Sequence, residues 1–133
     1  MKKHENTKEN FYYVTVDMTQ QEDIGWIKPG TSQQEKVTDR ISSLRATEPG
    51  MHLMGYLVIY NTNKSRIEAM EHAIKADMVD AGFEHYGNDH FKFRFNRTGN
   101  RYMQYMTISL AIILKAMRYC RIYNLAYDWK WEG

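Results

Sequence analysis

Apolar residues cluster in four short segments whose patterns are typical of β-strands. These segments are residues 11–16, 25–28, 52–60 and 91–95. The third, HLMGYLVIY, is the most strongly apolar, and the last, FKFRF, alternates aromatic with basic residues. Such runs of β-branched and aromatic residues between polar segments predict strands. The Pro29-Gly30 pair predicts a turn directly after the second segment.

Three further regions carry apolar residues at helical spacing. Ser32 and Glu35 match a capping box and predict that the first helix begins there, with a buried face formed by Val37, Ile41 and Leu44. Ser65 is the predicted cap of a second helix that Gly82 ends, and its apolar face comprises Ile67, Met70, Ile74, Met78 and Ala81. The third helical region extends from Arg101 to about Tyr127, with room for one break.

The order of these elements is strand, strand, helix, strand, helix, strand, helix. This mixture with few strands predicts an α+β (small α/β) fold, and 133 residues suffice for one hydrophobic core. We expect three parts: a flexible arm over residues 1–10, a domain over residues 11–95, and a helical extension over residues 96–133 that packs on the same domain.

Composition indicates a soluble globular protein of a reducing compartment. Hydrophobic residues make up 43% and charged residues 26% of the chain, which excludes an intrinsically disordered class. With one cysteine, Cys120, no internal disulfide forms. The first ten residues are polar, and the longest apolar run, residues 108–117, is half the ~20 residues that cross a bilayer. We therefore expect a cytoplasmic protein.

Charge is unevenly distributed, although the net charge is only +2. Residues 68–89 contain six carboxylates, whereas residues 91–127 contain none. The basic residues of the second segment are Lys92, Arg94, Arg97, Arg101, Lys115, Arg118 and Arg121. This separation favours a positive surface that binds a polyanion, although a solvated face explains it equally well.

Several motifs occur in the order and spacing of a known family. They are FYYV at residues 11–14, WIKPGTS at residues 26–32, Arg40 followed by Leu44, Glu68 followed by His72, and NDHF at residues 88–91. Together they resemble the GIY-YIG nuclease superfamily over about 80 residues, in the form of its T5orf172/Mug113-like branches. The chain departs from the family pattern at Lys28, which stands in place of a tyrosine, and at Pro29 and Asp89.

The resemblance implies a short mixed or antiparallel three-stranded sheet flanked by helices, with an added C-terminal helix. It implies a metal-dependent endonuclease that hydrolyses phosphodiester bonds, with DNA favoured over RNA and double-stranded DNA as the partner. Tyr13 would activate water, Lys28 and Arg40 would hold the phosphate, Glu68 would bind Mg²⁺ or another divalent metal, and His72 would assist. The alternative is a catalytically inactive GIY-YIG-like module that binds DNA or a protein as a regulator or inhibitor.

The residues themselves leave other assignments open. Tyr13 also suits plain packing on a sheet, and Glu68 with His72 suits a weak surface pair. Glu71 is the second choice for the metal, because it lies within about 40° of the apolar stripe of its helix, where an unpaired carboxylate is costly. Arg45 is the alternative to Arg40. In the nuclease hypothesis, the nucleic-acid contacts are Lys92, Arg94, Arg97, Arg101, Arg118 and Arg121. The C-terminal helix suits a homodimer interface as well as a cover for the sheet.

Overall fold

The computed structural model describes residues 9–19, 23–34, 37–47, 49–60, 62–87 and 90–133. In chain order these residues form β1 (Glu9–Asp17), β2 (Ile24–Gln34), α1 (Val37–Thr47), β3 (Met51–Ile59), α2 (Lys64–Asp80), β4 (Glu84–Tyr86), β5 (His90–Arg94), α3 (Arg101–Ile122) and β6 (Tyr127–Trp131). The strands make one sheet in the order β4-β5-β2-β1-β3-β6, with antiparallel pairing throughout. The predicted α+β class is confirmed.

Strand β1 lies at the centre of the sheet. It pairs with β2 along one edge and with β3 along the other, and each side chain from Phe11 to Val16 is buried. The register with β3 shifts between Val14 and Thr15, so that Met54 is an extra residue in β3. Such a bulge sharpens the local bend of the strand. A strand buried on both faces reads as an unbroken apolar run, which is why FYYVTV is so easily recognised.

The two faces of the sheet are covered by different helices. Tyr12 and Val14 point to one face, where they pack with the buried residues of α2 and α3. Phe11 and Tyr13 point to the other face, where they pack with Ile41 of α1. We call these the α2–α3 face and the α1 face. Helix α1 packs its apolar side chains on residues of β1 and β3, and it also contacts β2.

Helix α3 is fixed to the sheet at two points. The Tyr105 hydroxyl accepts a hydrogen bond from the Trp26 backbone N–H at 3.0 Å and donates one to the Asp17 carbonyl at 2.9 Å. Farther along the helix, Ile113 lies directly over Gly55, where an added Cβ would come within 2.6 Å of the Ile113 side chain. The missing side chain at Gly55 therefore allows α3 to approach β3 closely.

The predicted turn at Pro29-Gly30 is wrong, and so is the predicted capping box. Both residues lie inside β2, where Pro29 is opposite Val14 and Gly30 is opposite Tyr13. Ser32 is also in the strand, opposite Phe11, while Glu35 lies outside the described residues. Pairing with the long central strand outweighs the local turn preference, and β5 pairs only with Ile24–Ile27. A proline is tolerated in such an edge stretch, since its missing N–H need not face a partner.

Other predicted boundaries also need correction. The second helix is capped by Asn63, whose side chain accepts a hydrogen bond from the Arg66 N–H at 3.0 Å, and not by Ser65. The third helix ends at Ile122, since Asn124 adopts a φ of 57°. The chain then continues as β6, which joins the sheet beside β3. Glu9 and Asn10 belong to β1 and not to a flexible arm, whereas residues 1–8 lie outside the described residues.

The predicted number of three strands is too low, because the described residues form six. Strand β4 has three residues, all exposed, so it has no apolar pattern to detect. Strand β6 follows α3 so closely that its aromatic residues continue the apolar pattern of the helix. No helix in the described part of the chain is long and apolar enough to cross a membrane.

The hydroxyl of Tyr105 provides a test of the link between α3 and the sheet. We expect Tyr105→Phe to lower the free energy of unfolding by about 1–3 kcal/mol, because it leaves a partly buried backbone donor and a partly buried backbone acceptor without this partner. Urea titration followed by circular dichroism measures the change. Tyr123→Phe, on an exposed side chain of the same region, serves as the control. Equal stability of the two variants would contradict the assigned hydrogen bonds.

Candidate functional site

The structure brings three of the predicted site residues together on the α1 face. Tyr13 and Lys28 project to this face from neighbouring strands, because Tyr13 is opposite Gly30 and Lys28 is two residues before it. Arg40 extends from α1, and its Nε donates a hydrogen bond to the Tyr13 hydroxyl at 3.4 Å. Tyr13 is 1% exposed and packs with Ile41 and its neighbours. In this arrangement the phenol joins α1 to the sheet.

Gly30 shapes this contact. A Cβ at position 30 would lie 2.6 Å from the Tyr13 hydroxyl oxygen and 2.7 Å from the carbon that carries it. The phenol ring of Tyr13 therefore lies across the backbone of β2, in space that only glycine leaves open. The predicted role of Gly30 as a turn residue is wrong, and its observed role is to admit the ring.

The predicted metal ligand lies on the opposite side of the molecule. Glu68 and His72 are exposed residues of α2, and α2 packs on the α2–α3 face. The sheet thus separates them from Tyr13 and Arg40, so the predicted metal ligand and the predicted phosphate-binding residues lie on different faces. The i, i+4 spacing correctly placed Glu68 and His72 on one side of a helix, but it carries no information about which face of the sheet that helix covers.

Glu71, the second choice for the metal, is also on α2. It is half-buried. Burial raises the pKa of the Tyr12 phenol well above its usual range, and the negative charge of Glu71 raises this pKa further. Among the residues that the structure describes, no three side chains of the metal-binding types histidine, cysteine, aspartate and glutamate come together as a possible metal site. Asp89 of the NDHF motif lies outside the described residues.

The basic residues predicted to bind nucleic acid are spread over three regions. Lys92 and Arg94 belong to β5. Arg97 and Arg101 lie 3.7 and 3.3 Å from carboxylate oxygens of Asp23, so that their charge is partly balanced. Arg118 and Arg121 are exposed near the end of α3, on the α2–α3 side. The six residues therefore lie on three parts of the chain, which are β5, the segment that leads into α3, and the end of α3.

A second cluster, which the sequence motifs did not predict, lies on the α1 face over β2, β4 and β5. It consists of Trp26 on β2, Tyr86 on β4, and His90 and Lys92 on β5, and we call it the aromatic–lysine patch. The Trp26 ring makes edge-on contacts with Tyr86 at 5.5 Å and with His90 at 6.2 Å between centroids. The Lys92 ammonium lies 4.9 Å from the Tyr86 ring centre and 5.9 Å from that of Trp26.

Register explains why these side chains share one face. Trp26 is opposite Lys92, Lys92 is opposite Glu84, and Tyr86 is opposite His90. Directly opposed residues of an antiparallel pair point to the same side of the sheet. The alternation in FKFRF was a usable signal, because it separates Lys92 and Arg94 from the buried aromatics. The positions of Trp26 on β2 and Tyr86 on β4 beside these residues could be recognised only from the strand pairing in the structure.

A small depression of about 70 Å³ adjoins the patch. Its lining includes Lys28 and His90 from the α1 face, together with Asp17 at the end of β1. Lys28 is 9% exposed, and its carbonyl accepts a hydrogen bond from the Thr15 hydroxyl at 3.1 Å. The depression thus combines a buried lysine, a histidine, a carboxylate and a partly exposed indole.

Comparison with known proteins returned no match to any family model, curated protein or solved structure.

Substitution of Gly30 tests the contact with Tyr13. We expect Gly30→Ala to lower the free energy of unfolding by about 1–3 kcal/mol, because the new methyl group forces the buried ring to move. Chemical denaturation measures the loss. In a Tyr13→Val background, where the ring is absent, the same substitution should cost clearly less. If Gly30→Ala lowers the free energy of unfolding equally in both backgrounds, the contact between Gly30 and the Tyr13 ring does not contribute to stability.

Proposed function

We propose that the protein binds nucleic acid through the aromatic–lysine patch and acts as a binding module. The observation that carries this proposal is the position of the Lys92 ammonium beside two aromatic rings, at 4.9 and 5.9 Å from their centres. Tyr86 is 56% exposed, so one ring of the pair is available to a ligand. Arg94 extends the positive charge along the same face of β5.

Each component of the patch suits one part of a nucleotide. Lysine and arginine neutralise phosphates, and aromatic rings stack on bases of any identity. The ion pair of Lys92 with Glu84 is long, at 3.7 Å, and the Glu84 side chain is 65% exposed. The Lys92 side chain is 26% exposed, and a long ion pair to an exposed carboxylate contributes little, so a phosphate competes for Lys92.

An unpaired strand fits this surface better than a duplex. The bases of a duplex stack on one another and present only their edges, whereas a single strand offers its ring faces. The proposed ligand is therefore a single-stranded segment, with DNA favoured over RNA and with duplex DNA as the comparison. The alternative is that the module binds a protein partner. Among the described residues of this face, we find no other cluster that favours a protein over a nucleic acid.

The positions of the candidate catalytic residues favour binding of nucleic acid without cleavage. Tyr13 is buried beneath α1 and hydrogen-bonded to Arg40, and Glu68 lies on the other side of the sheet. The resemblance to the GIY-YIG superfamily then implies a module that retains the central strands and uses the open sheet surface for binding.

Titration of a labelled oligonucleotide tests the proposal. Fluorescence anisotropy with a fluorescein-labelled single strand should show salt-dependent binding, and Lys92→Gln should reduce the slope of log K against log salt by about 0.7, the value for one phosphate of a single strand. Tyr86→Ala should weaken binding by about 1–3 kcal/mol through the loss of one stacked base.

Matched controls come from α3. Lys115 also forms a 3.7 Å ion pair, with Asp77, and Tyr123 is as exposed as Tyr86. Lys115→Gln and Tyr123→Ala should leave the affinity unchanged, because both lie away from the α1 face. Equal losses in the patch and control variants, or no salt-dependent binding to a single strand, would contradict the proposal. Tighter binding to duplex DNA would contradict the choice of strand.

Phosphodiester hydrolysis is the second candidate function, favoured by the shared position of Tyr13, Lys28 and Arg40. In a plasmid nicking assay with Mg²⁺ in the buffer, we expect Arg40→Ala to reduce nicking on the order of 10²-fold. Glu68→Ala should have no effect, since Glu68 lies across the sheet from these residues. Absence of nicking in the wild type would exclude this candidate, and loss of nicking in Glu68→Ala would contradict the separation of the two faces.

A further inference from the structure

Strand β6 is an edge of the sheet and offers unpaired backbone groups. It pairs with β3 along one side only, and it is the last strand in the sheet order. The Tyr60 N–H donates to the Ala126 carbonyl, and the Glu132 N–H donates to the Met54 carbonyl, both at 2.8 Å. An exposed edge of this kind is a ready template for another strand.

These two bonds define which residues of β6 face outward. In an antiparallel ladder, hydrogen-bonded positions alternate along the strand. Because positions 126 and 132 bond to β3, so do positions 128 and 130, which have the same parity. The backbone N–H and C=O groups of Tyr127, Trp129 and Trp131 therefore point away from β3. Among the described residues, no strand occupies that side of β6.

The five residues of β6, Tyr-Asp-Trp-Lys-Trp, are complementary to themselves in one antiparallel register. When two copies pair with Trp129 opposite Trp129, Tyr127 stands opposite Trp131 and Asp128 stands opposite Lys130. All outward backbone groups then find partners, because each of the three odd-numbered pairs exchanges two hydrogen bonds. The two Asp128–Lys130 pairs place opposite charges across the junction, and opposite charges directly across a strand pair are stabilising.

The side chains next to β6 support the same partner. Odd-numbered residues of β6 share the face of Gly55 and Leu57, which is the α2–α3 face. Trp129 is 49% exposed there. Two copies in this register would bring the aromatic residues of both strands together, and aromatic cross-strand pairs are among the more stabilising contacts of a sheet.

We propose that β6 is a self-association surface, through which two copies of this chain pair in the register centred on Trp129 to form one continuous sheet. This interface is distinct from the dimer through the C-terminal helix that the sequence suggested, and it leaves the aromatic–lysine patch free at the other edge of each sheet. Pairing about a two-fold axis places the same surface on both subunits, which is the commonest symmetry of homodimers.

Charge reversal with rescue tests the register. Sedimentation equilibrium of the full chain should show a species of twice the 15.8 kDa mass of one chain, with a Kd in the range of about 1–100 µM. Asp128→Lys places two ammonium groups opposite each other, and Lys130→Asp places two carboxylates opposite each other. Each single variant should weaken dimerisation about tenfold or more, and the double variant Asp128→Lys/Lys130→Asp should restore it.

A second variant tests the backbone contribution without touching the bonds to β3. Trp129→Pro removes one outward N–H, and a proline is tolerated at an outward-facing edge position. It should abolish the dimer, while circular dichroism and the midpoint of urea unfolding report that the monomer remains folded. Asp128→Lys also removes the 2.7 Å hydrogen bond from Tyr60, so Tyr60→Phe is the control for that loss and should still dimerise.

The proposal is overturned by a wild type that stays monomeric well above the expected Kd, by a dimer that survives both single charge reversals, or by a double variant that fails to recover. A dimer lost in Trp129→Pro but unaffected by charge reversal would also overturn the proposed register. None of these outcomes depends on whether the protein binds nucleic acid.

Discussion

The burial of β1 on both faces is the constraint on which the rest of the structure depends. A central strand that is paired along both edges and covered on both faces leaves little freedom in register, because a slip of one residue would exchange Tyr12 with Tyr13 between two differently shaped cores. The pairing with β1 extends β2 as far as Gln34 and holds Pro29 and Gly30 in extended conformation. It also divides the molecule into two faces that share no side chains.

This division explains the distribution of the candidate chemistry. Tyr12 and Tyr13 are adjacent in sequence, yet one meets α2 and the other meets α1. Residues that belong to one sequence motif, such as FYYV, therefore lie on opposite faces of the sheet. Helix α1 packs where Phe11 and Tyr13 lie, whereas the aromatic–lysine patch lies on β2, β4 and β5 of the same face.

Sequence patterns predicted the elements whose periodicity is uninterrupted. The strands around Phe11 and Leu57 and the buried face of α2 were recognisable because each buries a regular set of residues. The missed elements, β4 and β6, are short and exposed, and they are strands only because a neighbour pairs with them. Of the candidate site, Tyr13, Lys28 and Arg40 lie on one face of the sheet, whereas Glu68 lies on the other. The side of the sheet on which a helix packs depends on the tertiary connection, and helical spacing does not encode it.

Pro29 has a consequence that concerns the solubility of the protein. Residues 28–34 of β2 pair with β1 on one side, and no strand among the described residues pairs with them on the other side. Another chain could therefore add to the sheet along these residues. A residue without an N–H in that stretch shortens the run of donors that an incoming chain can use, which is one of the ways natural sheets resist aggregation. The same molecule thus carries one edge stretch interrupted by a proline and another edge, β6, with its full set of backbone groups. The other end of the sheet is β4, which has three residues. In the proposed antiparallel pair the two β6 edges cover each other, so this contact closes as a pair and does not extend into a fibre.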